Sequence, residues 1–401
     1  VSFPASPAPD PSPAPDPSPA TERDARERVP GAWQGPGPDA AGGSVHPVDV
    51  EDLRARVHRT IDEFLDRQER VLADMTEDCL PMVEAVRDLM RGGKRLRPAF
   101  CYWGWRAAGG QDRPEAVRAA TSMEFFQAAA LIHDDVMDGS DTRRGLPAVH
   151  RRFAERHRRH GWSGPGDRFG LAGAVLTGDL CLAWSEELFC ASGLPQPALS
   201  RGRVVFDRMR TELMAGQYLD MLEQAGAERL GGDPVDRARR VLRYKSAKYT
   251  VEHPLLIGAR LAGADDTTAT ALSDFGLPLG EAFQLRDDLL GVFGDPARTG
   301  KPAGDDLREG KRTVLIAQTL RSVRPDRAAV LRSLLGDPGL DPQGVARLQE
   351  IIMASGAVDR VEDMITELTD RSRRALDGAR VDGRALPVLR SLIGVATDRK
   401  F

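Results

Sequence analysis

The chain has 401 residues, 41% hydrophobic and 29% charged, enough apolar material for a large core and enough charge for a solvated surface. Its 56 lysines and arginines stand against 60 aspartates and glutamates, a formal net charge of -4, which excludes a global basic field for holding nucleic acid. Cys79, Cys101, Cys181 and Cys190 form no Cys-x-x-Cys pair, which argues against a zinc ribbon or disulfide framework and fits a reducing, cytoplasmic setting. No apolar run approaches the roughly 20 residues of a membrane helix, and the Pro- and Asp-rich start does not read as a secretory signal.

Twelve of the 28 prolines fall in the first 50 residues, and PDPSPA at 9–14 recurs at 15–20. Such composition buries too little apolar surface to offset ordering entropy, so residues 1–49 are expected to be a disordered arm and 50–401 one folded domain. From Val50 the pattern turns helical, with Leu53, Val57, Ile61, Phe64, Leu65, Val71 and Leu72 near a 3.6-residue period. Further helices are expected over 79–91, 97–108, 114–138, 171–191, 198–224, 236–262, 267–293, 311–321, 326–335, 342–354 and 356–378, separated by Gly, Pro and Asp turn signals. No segment sustains the alternation of a strand. The reading is an all-α bundle whose interior is the natural ligand cavity.

The strongest chemical feature is LIHDDVMD, in which Asp134 and Asp138 lie one helical turn apart. Like charges at that spacing destabilise a helix, and the macrodipole disfavours anions at a helix end, so the trio Asp134, Asp135 and Asp138 points to a bound cation. A second acidic pair, Asp287 and Asp288, follows Gln284 late in another apolar helix. Mg²⁺ takes oxygen ligands and is commonly held by one or two carboxylates together with substrate phosphates, so two such walls suit a metal-bridged diphosphate.

Cations alternate with these acids along the chain. Gly92-Gly93-Lys94-Arg95-Leu96-Arg97-Pro98 joins flexible backbone to guanidinium and ammonium groups, and Arg143-Arg144-Gly145 follows the first acidic cluster. Lys245 and Lys248 lie in RYKSAKYT, and Lys301 and Lys311 in GKPAGDDLREGK. The glycine loop lacks the Walker A pattern. Arg151-Arg152 and His157 to His160 have no interleaved aromatic platform, and they read as a solvated helix face rather than a nucleic-acid site.

GGKRLRP, LIHDDVMD with RRG, GDL at 178–180, GQYLD at 216–220, KSAKYT, FQLRDD and GKPAGDDLREGK occur in an order that resembles the trans-isoprenyl diphosphate synthase (polyprenyl synthetase) family, most closely its actinobacterial-type geranylgeranyl diphosphate synthases. The resemblance covers the chain from about Val50 onward. It implies an isoprenoid-synthase-type all-α bundle around a deep central cavity, commonly as a homodimer. It implies that Asp134, Asp138 and Asp287 bind Mg²⁺ bridging to an allylic diphosphate (dimethylallyl, geranyl or farnesyl), with Asp135 and Asp288 in support. Arg143, Lys245 and Lys301 would contact that diphosphate, and Ser246, Gln284 and Lys311 would be among the substrate-binding residues. Lys94, Arg97, Gln127 and Arg144 would hold isopentenyl diphosphate. Gly291 stands where a third aspartate belongs, and since that position reads as needing no carboxylate, an aspartate placed there is expected to have a smaller effect than loss of Asp134 or Asp138.

The implied reaction ionises the allylic substrate and lets the isopentenyl double bond attack, so no protein nucleophile is needed and His133 reads as structural. A class I terpene cyclase is the rival enzyme, but its second metal motif begins with asparagine, which this chain lacks entirely. A noncatalytic partner subunit is disfavoured by the intact Asp134, Asp138, Arg144 and Lys245. Product length is expected to be set along the helix ending at Asp134. Ala129 and Ala130 are too small to stop a fifteen-carbon chain, and Phe125 and Phe126, about 12 Å below Asp134, form the next floor. Geranylgeranyl diphosphate is the expected product, with farnesyl and geranylfarnesyl diphosphate as alternatives.

Overall fold

The computed structural model describes residues 45–295, 304–337 and 339–397. In chain order the helices are α1 (Leu53–Met75), α2 (Leu80–Met90), α3 (Leu96–Ala107), α4 (Pro114–Met137), α5 (Val149–Arg159), α6 (Gly166–Cys190), α7 (Gln196–Gly226), α8 (Pro234–Val241), α9 (His253–Ala262) and α10 (Asp266–Phe293). They continue with α11 (Asp305–Arg308), α12 (Val314–Ser322), α13 (Pro325–Leu334), α14 (Pro342–Ala354), α15 (Ala357–Gly378) and α16 (Leu386–Thr397). The folded part begins before Val50: Val48 is fully buried and its carbonyl accepts the Arg54 N–H at 3.1 Å.

α4 is apolar nearly all round, and it is accordingly buried on most sides, packed against α6, α3 and α1. Proline opens it at Pro114, and Gly139, at φ +67°, turns the chain after Asp138. α10 belongs to two cores: Leu272, Phe275, Leu279 and Phe283 join the cluster around α1, α3, α4 and α9, while Ala282, Leu285, Leu289 and Val292 join a second cluster with α12, α14 and α15. Its acidic end is thereby held between both. Asp265 caps its first turn, donating nothing and accepting the Thr268 N–H at 2.8 Å.

Four elements depart from the sequence reading. Between α8 and α9 the helix continues, but Leu242–Glu252 is π-helical. Hydrogen-bond register is invisible to hydrophobic periodicity, and π-turns recur at functional sites. α5 was hidden by its many arginines, which leave only Val149, Phe153 and Ala154 as an apolar face; α16 is a short apolar run of the kind periodicity does not resolve. Between α4 and α5 a two-residue antiparallel hairpin pairs β1 (Thr142–Arg143) with β2 (Leu146–Pro147), in register Thr142 to Pro147 and Arg143 to Leu146. Among the described residues no helix is long and apolar enough to cross a membrane.

Candidate active site

The end of α4 gathers three carboxylates where the helix dipole is least hospitable to them, and cations from three other segments compensate. Burial pushes the Asp134 carboxyl up, but Lys245, Lys311 and Arg143 outweigh it and hold Asp134 well below the usual carboxylate range. Asp138 is less fully compensated: burial and the neighbouring Asp134 charge push it up to about 6 against the opposing pull of Lys311 and Lys245. Its buried Oδ2 accepts no hydrogen bond and lies 3.7 Å from Lys311 Nζ. Asp135 faces inward, its Oδ1 accepting from Arg143 Nε at 2.8 Å. His133 Nε2 lies 3.2 Å from the Val175 carbonyl, in keeping with a structural role.

The RRG motif is the turn of the hairpin. Arg144 (φ +54°) and Gly145 (φ +76°) both take left-handed backbone, as a two-residue type I′ turn requires. For arginine that conformation costs about 1–2 kcal/mol. Its effect is to send adjacent guanidiniums opposite ways. Arg143 turns to Asp134 and Asp135, whereas Arg144 donates to the Leu89 and Gly92 carbonyls at 2.7 and 2.9 Å. Burial lowers the Arg144 pKa, and the like charges of Arg95, Arg143 and Arg97 press it the same way against the opposing pull of Glu124.

The loop before α3 is anchored by Arg95, which is buried and ion-paired to Glu124 of α4, with Nε donating to His58 Nε2 at 3.1 Å. Lys94 precedes this anchor. Arg97 follows it, donating to Thr250 Oγ1 at 2.8 Å and stacking 4.2 Å from the Tyr249 ring centroid, with its buried Nε lacking a hydrogen-bond partner. Gln127, on α4, also has a buried side-chain oxygen with no partner.

The π-helical segment brings in Lys245 from the far side, with half-buried Ser246 beside it. Lys245 Nζ lies 3.2 Å from Asp134 Oδ1 and 2.6 Å from Asp220 Oδ2. Gly216 makes this approach possible, because a Cβ there would come within 2.4 Å of the Lys245 backbone nitrogen. Asp220, one turn later on α7, is a site residue the sequence reading passed over; the GQYLD motif was its signal.

The second wall stands at the end of α10. Gln284 Nε2 donates to Asp288 Oδ1 at 2.8 Å. Burial, aided by the charges of Asp306 and Asp287, pushes Asp288 up to about 8 despite that hydrogen bond. Lys311 is the ammonium between the walls: its Nζ lies 2.5 Å from Glu309 Oε2, 3.4 Å from Asp306 Oδ1 and 3.7 Å from Asp138 Oδ2. Burial alone lowers its pKa, and Asp306, Glu309, Asp134 and Asp138 raise it well above the ordinary value. Gly291 packs against the Asp306 side chain. A Cβ at 291 would meet Asp306 Oδ2 at 1.9 Å, so any side chain must displace that carboxylate. Lys301 lies outside the described residues, as does most of the arm.

These carboxylates fit a divalent cation, given the orphaned Asp138 oxygen and an all-oxygen donor set. Among the described residues no three His, Cys, Asp or Glu side chains are grouped as a metal cage.

Below the acidic end the two phenylalanines part company. Phe125 packs between Phe64 of α1 and Trp184 of α6, with centroids at 4.8 and 6.3 Å. Phe126 points elsewhere and meets Tyr249 edge-on at 5.9 Å. Ala129 is fully buried, whereas Ala130, one turn above Phe126, is half-buried.

The polyprenyl synthetase family model matches residues 81–352. The chain belongs to the polyprenyl synthetase family. It is 32% identical over 339 residues to a geranylgeranyl diphosphate synthase of Mycobacterium tuberculosis, covering 81% of this chain and 89% of that one. It is also 32% identical over 313 residues to a geranylfarnesyl diphosphate synthase of Aeropyrum pernix, covering 77% and 91%. A crystal structure of geranylgeranyl pyrophosphate synthase from Corynebacterium glutamicum, complexed with isoprenyl diphosphate and magnesium, superimposes with a TM-score of 0.83 at 40% identity, over 89% of this chain and 100% of that one.

Proposed function

We propose that this prenyltransferase condenses isopentenyl diphosphate with an allylic diphosphate, head to tail and in trans geometry, to make geranylgeranyl diphosphate. The observation that carries this reading is the divergence of Arg143 and Arg144. One hairpin sets one guanidinium at the acidic wall and the other in a crowd of arginines with surplus positive charge, which provides for two anions in one site. The allylic diphosphate belongs at Asp134, Asp138 and Asp287, and isopentenyl diphosphate beside Lys94, Arg97, Gln127 and Arg144.

Mg²⁺ held by Asp134, Asp138 and Asp287 would supply charge neutralisation at the leaving diphosphate. Lys245 and Lys311, both raised above their ordinary pKa, stay protonated and donate to the leaving oxygens, as does Arg143. The allylic C–O bond breaks and the diphosphate leaves with its electron pair, the isopentenyl double bond supplies the electron pair of the new C–C bond, and the departing diphosphate takes the proton lost from the isopentenyl skeleton as the alkene re-forms. Arg97 and Arg144 fix the nucleophilic alkene by its diphosphate, which converts the encounter into a positioned reaction. On family grounds Lys301 is assigned to the allylic diphosphate and Ser246 to substrate binding.

The chain length reading rests on Phe126, the ring that faces Tyr249 below Ala130. The Aeropyrum relative makes the twenty-five-carbon product the principal alternative. Exposed Leu171, Val175 and Leu176 on α6, with Val204, Met214, Tyr218 and Met221 on α7, support covering by a second copy in a homodimer. The four free cysteines support a cytoplasmic setting. Incubation with Mg²⁺, isopentenyl diphosphate and dimethylallyl, geranyl or farnesyl diphosphate, followed by chromatography of the dephosphorylated products, tests the assignment. A dominant twenty-carbon alcohol is expected, and no elongation from any primer would overturn it.

A further inference from the structure

Gly291 leaves the second acidic wall one carboxylate short, and the structure fills that place from another segment. Gly291 is four residues after Asp287 and three after Asp288, so a side chain there shares their helix face. The volume it would take is occupied by Asp306, whose Oδ2 and Cγ lie 1.9 and 2.5 Å from the Cβ position. Asp306 comes from α11, and its Oδ1 is 3.4 Å from the same Lys311 Nζ that reaches Asp138 on the opposite wall. Its carboxylate therefore stands beside Asp287 and Asp288 and communicates electrostatically with the end of α4.

We propose that Asp306 is the third carboxylate of the second wall, supplied by α11 in place of α10, and that with Asp287 it supports the Mg²⁺–diphosphate complex. The proposal rests on the reading of the site as a Mg²⁺-dependent diphosphate site. Gly291 and Asp306 are then complementary: the glycine is small because the aspartate needs its space.

The probe is inorganic pyrophosphate, titrated into the full-length protein by calorimetry across a Mg²⁺ series, with melting temperature recorded for each variant. Asp306→Asn is expected to weaken Mg²⁺-dependent pyrophosphate binding by at least about tenfold, the loss typical of a group supporting a metal ligand, without lowering the melting temperature. Gly291→Asp is expected to weaken it as well, because two carboxylates compete for one place. Gly291→Asp combined with Asp306→Ala returns a single carboxylate to the wall and is expected to recover most of the loss seen in Asp306→Ala alone. Unchanged binding in Asp306→Asn, or a double variant no better than Asp306→Ala, would overturn the proposal while leaving the site reading intact. If the wild-type protein binds no pyrophosphate with Mg²⁺, or Asp134→Ala binds it equally well, the site reading fails and the inference falls with it.

Discussion

Asp220 Oδ2 lies 2.6 Å from Lys245 Nζ, across the seam where α7 meets the π-helical segment. The contact holds the ammonium against Asp134, to which it also donates at 3.2 Å. Long lysine side chains lose much rotamer freedom when fixed, and a carboxylate behind the ammonium performs that ordering before substrate arrives. Asp220→Asn is expected to lower kcat by roughly ten- to hundredfold with a smaller change in KM, since the lysine remains but is less well placed. Steady-state kinetics with farnesyl diphosphate measure this, and an unchanged kcat would remove Asp220 from the site.

Asp134 and Asp138 occupy opposite electrostatic situations on one helix face, the first compensated by three cations and the second left with an unsatisfied oxygen. Both are directed at the same charge on the leaving diphosphate. Replacing either with alanine is expected to cut turnover by about a hundred- to a thousandfold, the scale on which losing a preorganised stabiliser of transition-state charge is felt. Single-turnover assays at saturating Mg²⁺ decide it. Near-normal turnover in Asp138→Ala would be incompatible with the proposed chemistry.

The helical class and the acidic helix end were legible because both are local: a 3.6-residue apolar period and an i,i+4 carboxylate pair are written in consecutive residues. Asp220 and Asp306 were not, since their partners Lys245 and Gly291 lie on other elements and no spacing rule connects them. The Arg143–Arg144 divergence escaped for a different reason. Two-residue strands are too short for alternation to register, although Arg144-Gly145 does carry the glycine that a tight turn favours.

His253 opens α9 in a buried setting, facing Lys248 and Arg208, with Glu212 Oε2 3.5 Å from its Nε2 and Glu252 as its chain neighbour. Burial, reinforced by the Lys248 and Arg208 charges, pushes its imidazole down from 6.5 to about 3. The unfolded chain then takes up a proton that the folded chain refuses. Its contribution to stability is therefore fully present above pH 6.5 and is lost progressively as the pH falls from 6.5 toward 3. The slope is at most about 1.4 kcal/mol per pH unit. His253→Gln is expected to flatten the acid limb of the stability curve, measured by urea unfolding at about pH 7 and about pH 5. Parallel acid limbs in the two proteins would show that His253 already binds its proton when folded.

The separation of Phe125 from Phe126 assigns different consequences to two adjacent, equally buried rings. Phe125 is wedged between Phe64 and Trp184, on the side of α4 that faces α1 and α6, so Phe125→Ala is expected to cost about 3–5 kcal/mol and leave product length unchanged. Phe126 stands one turn below half-buried Ala130, which is itself one turn below Asp134, so the stripe 126, 130, 134 descends from the site along one helix face. Phe126→Ala is expected to shift the product from twenty toward twenty-five carbons, with Tyr249 behind it as the next obstruction. A ring at Ala130 blocks the same stripe higher up, and Ala130→Phe is expected to shorten the product toward fifteen carbons. Ala129→Phe differs: Ala129 is fully buried on the Phe125 side, so the added ring overpacks the core by about 1–3 kcal/mol in place of plugging the channel. Melting curves and product chromatography on the four variants separate these outcomes. If Phe125→Ala lengthens the product while Phe126→Ala does not, the channel runs along the α1 and α6 side of the helix and the floor belongs to Phe125.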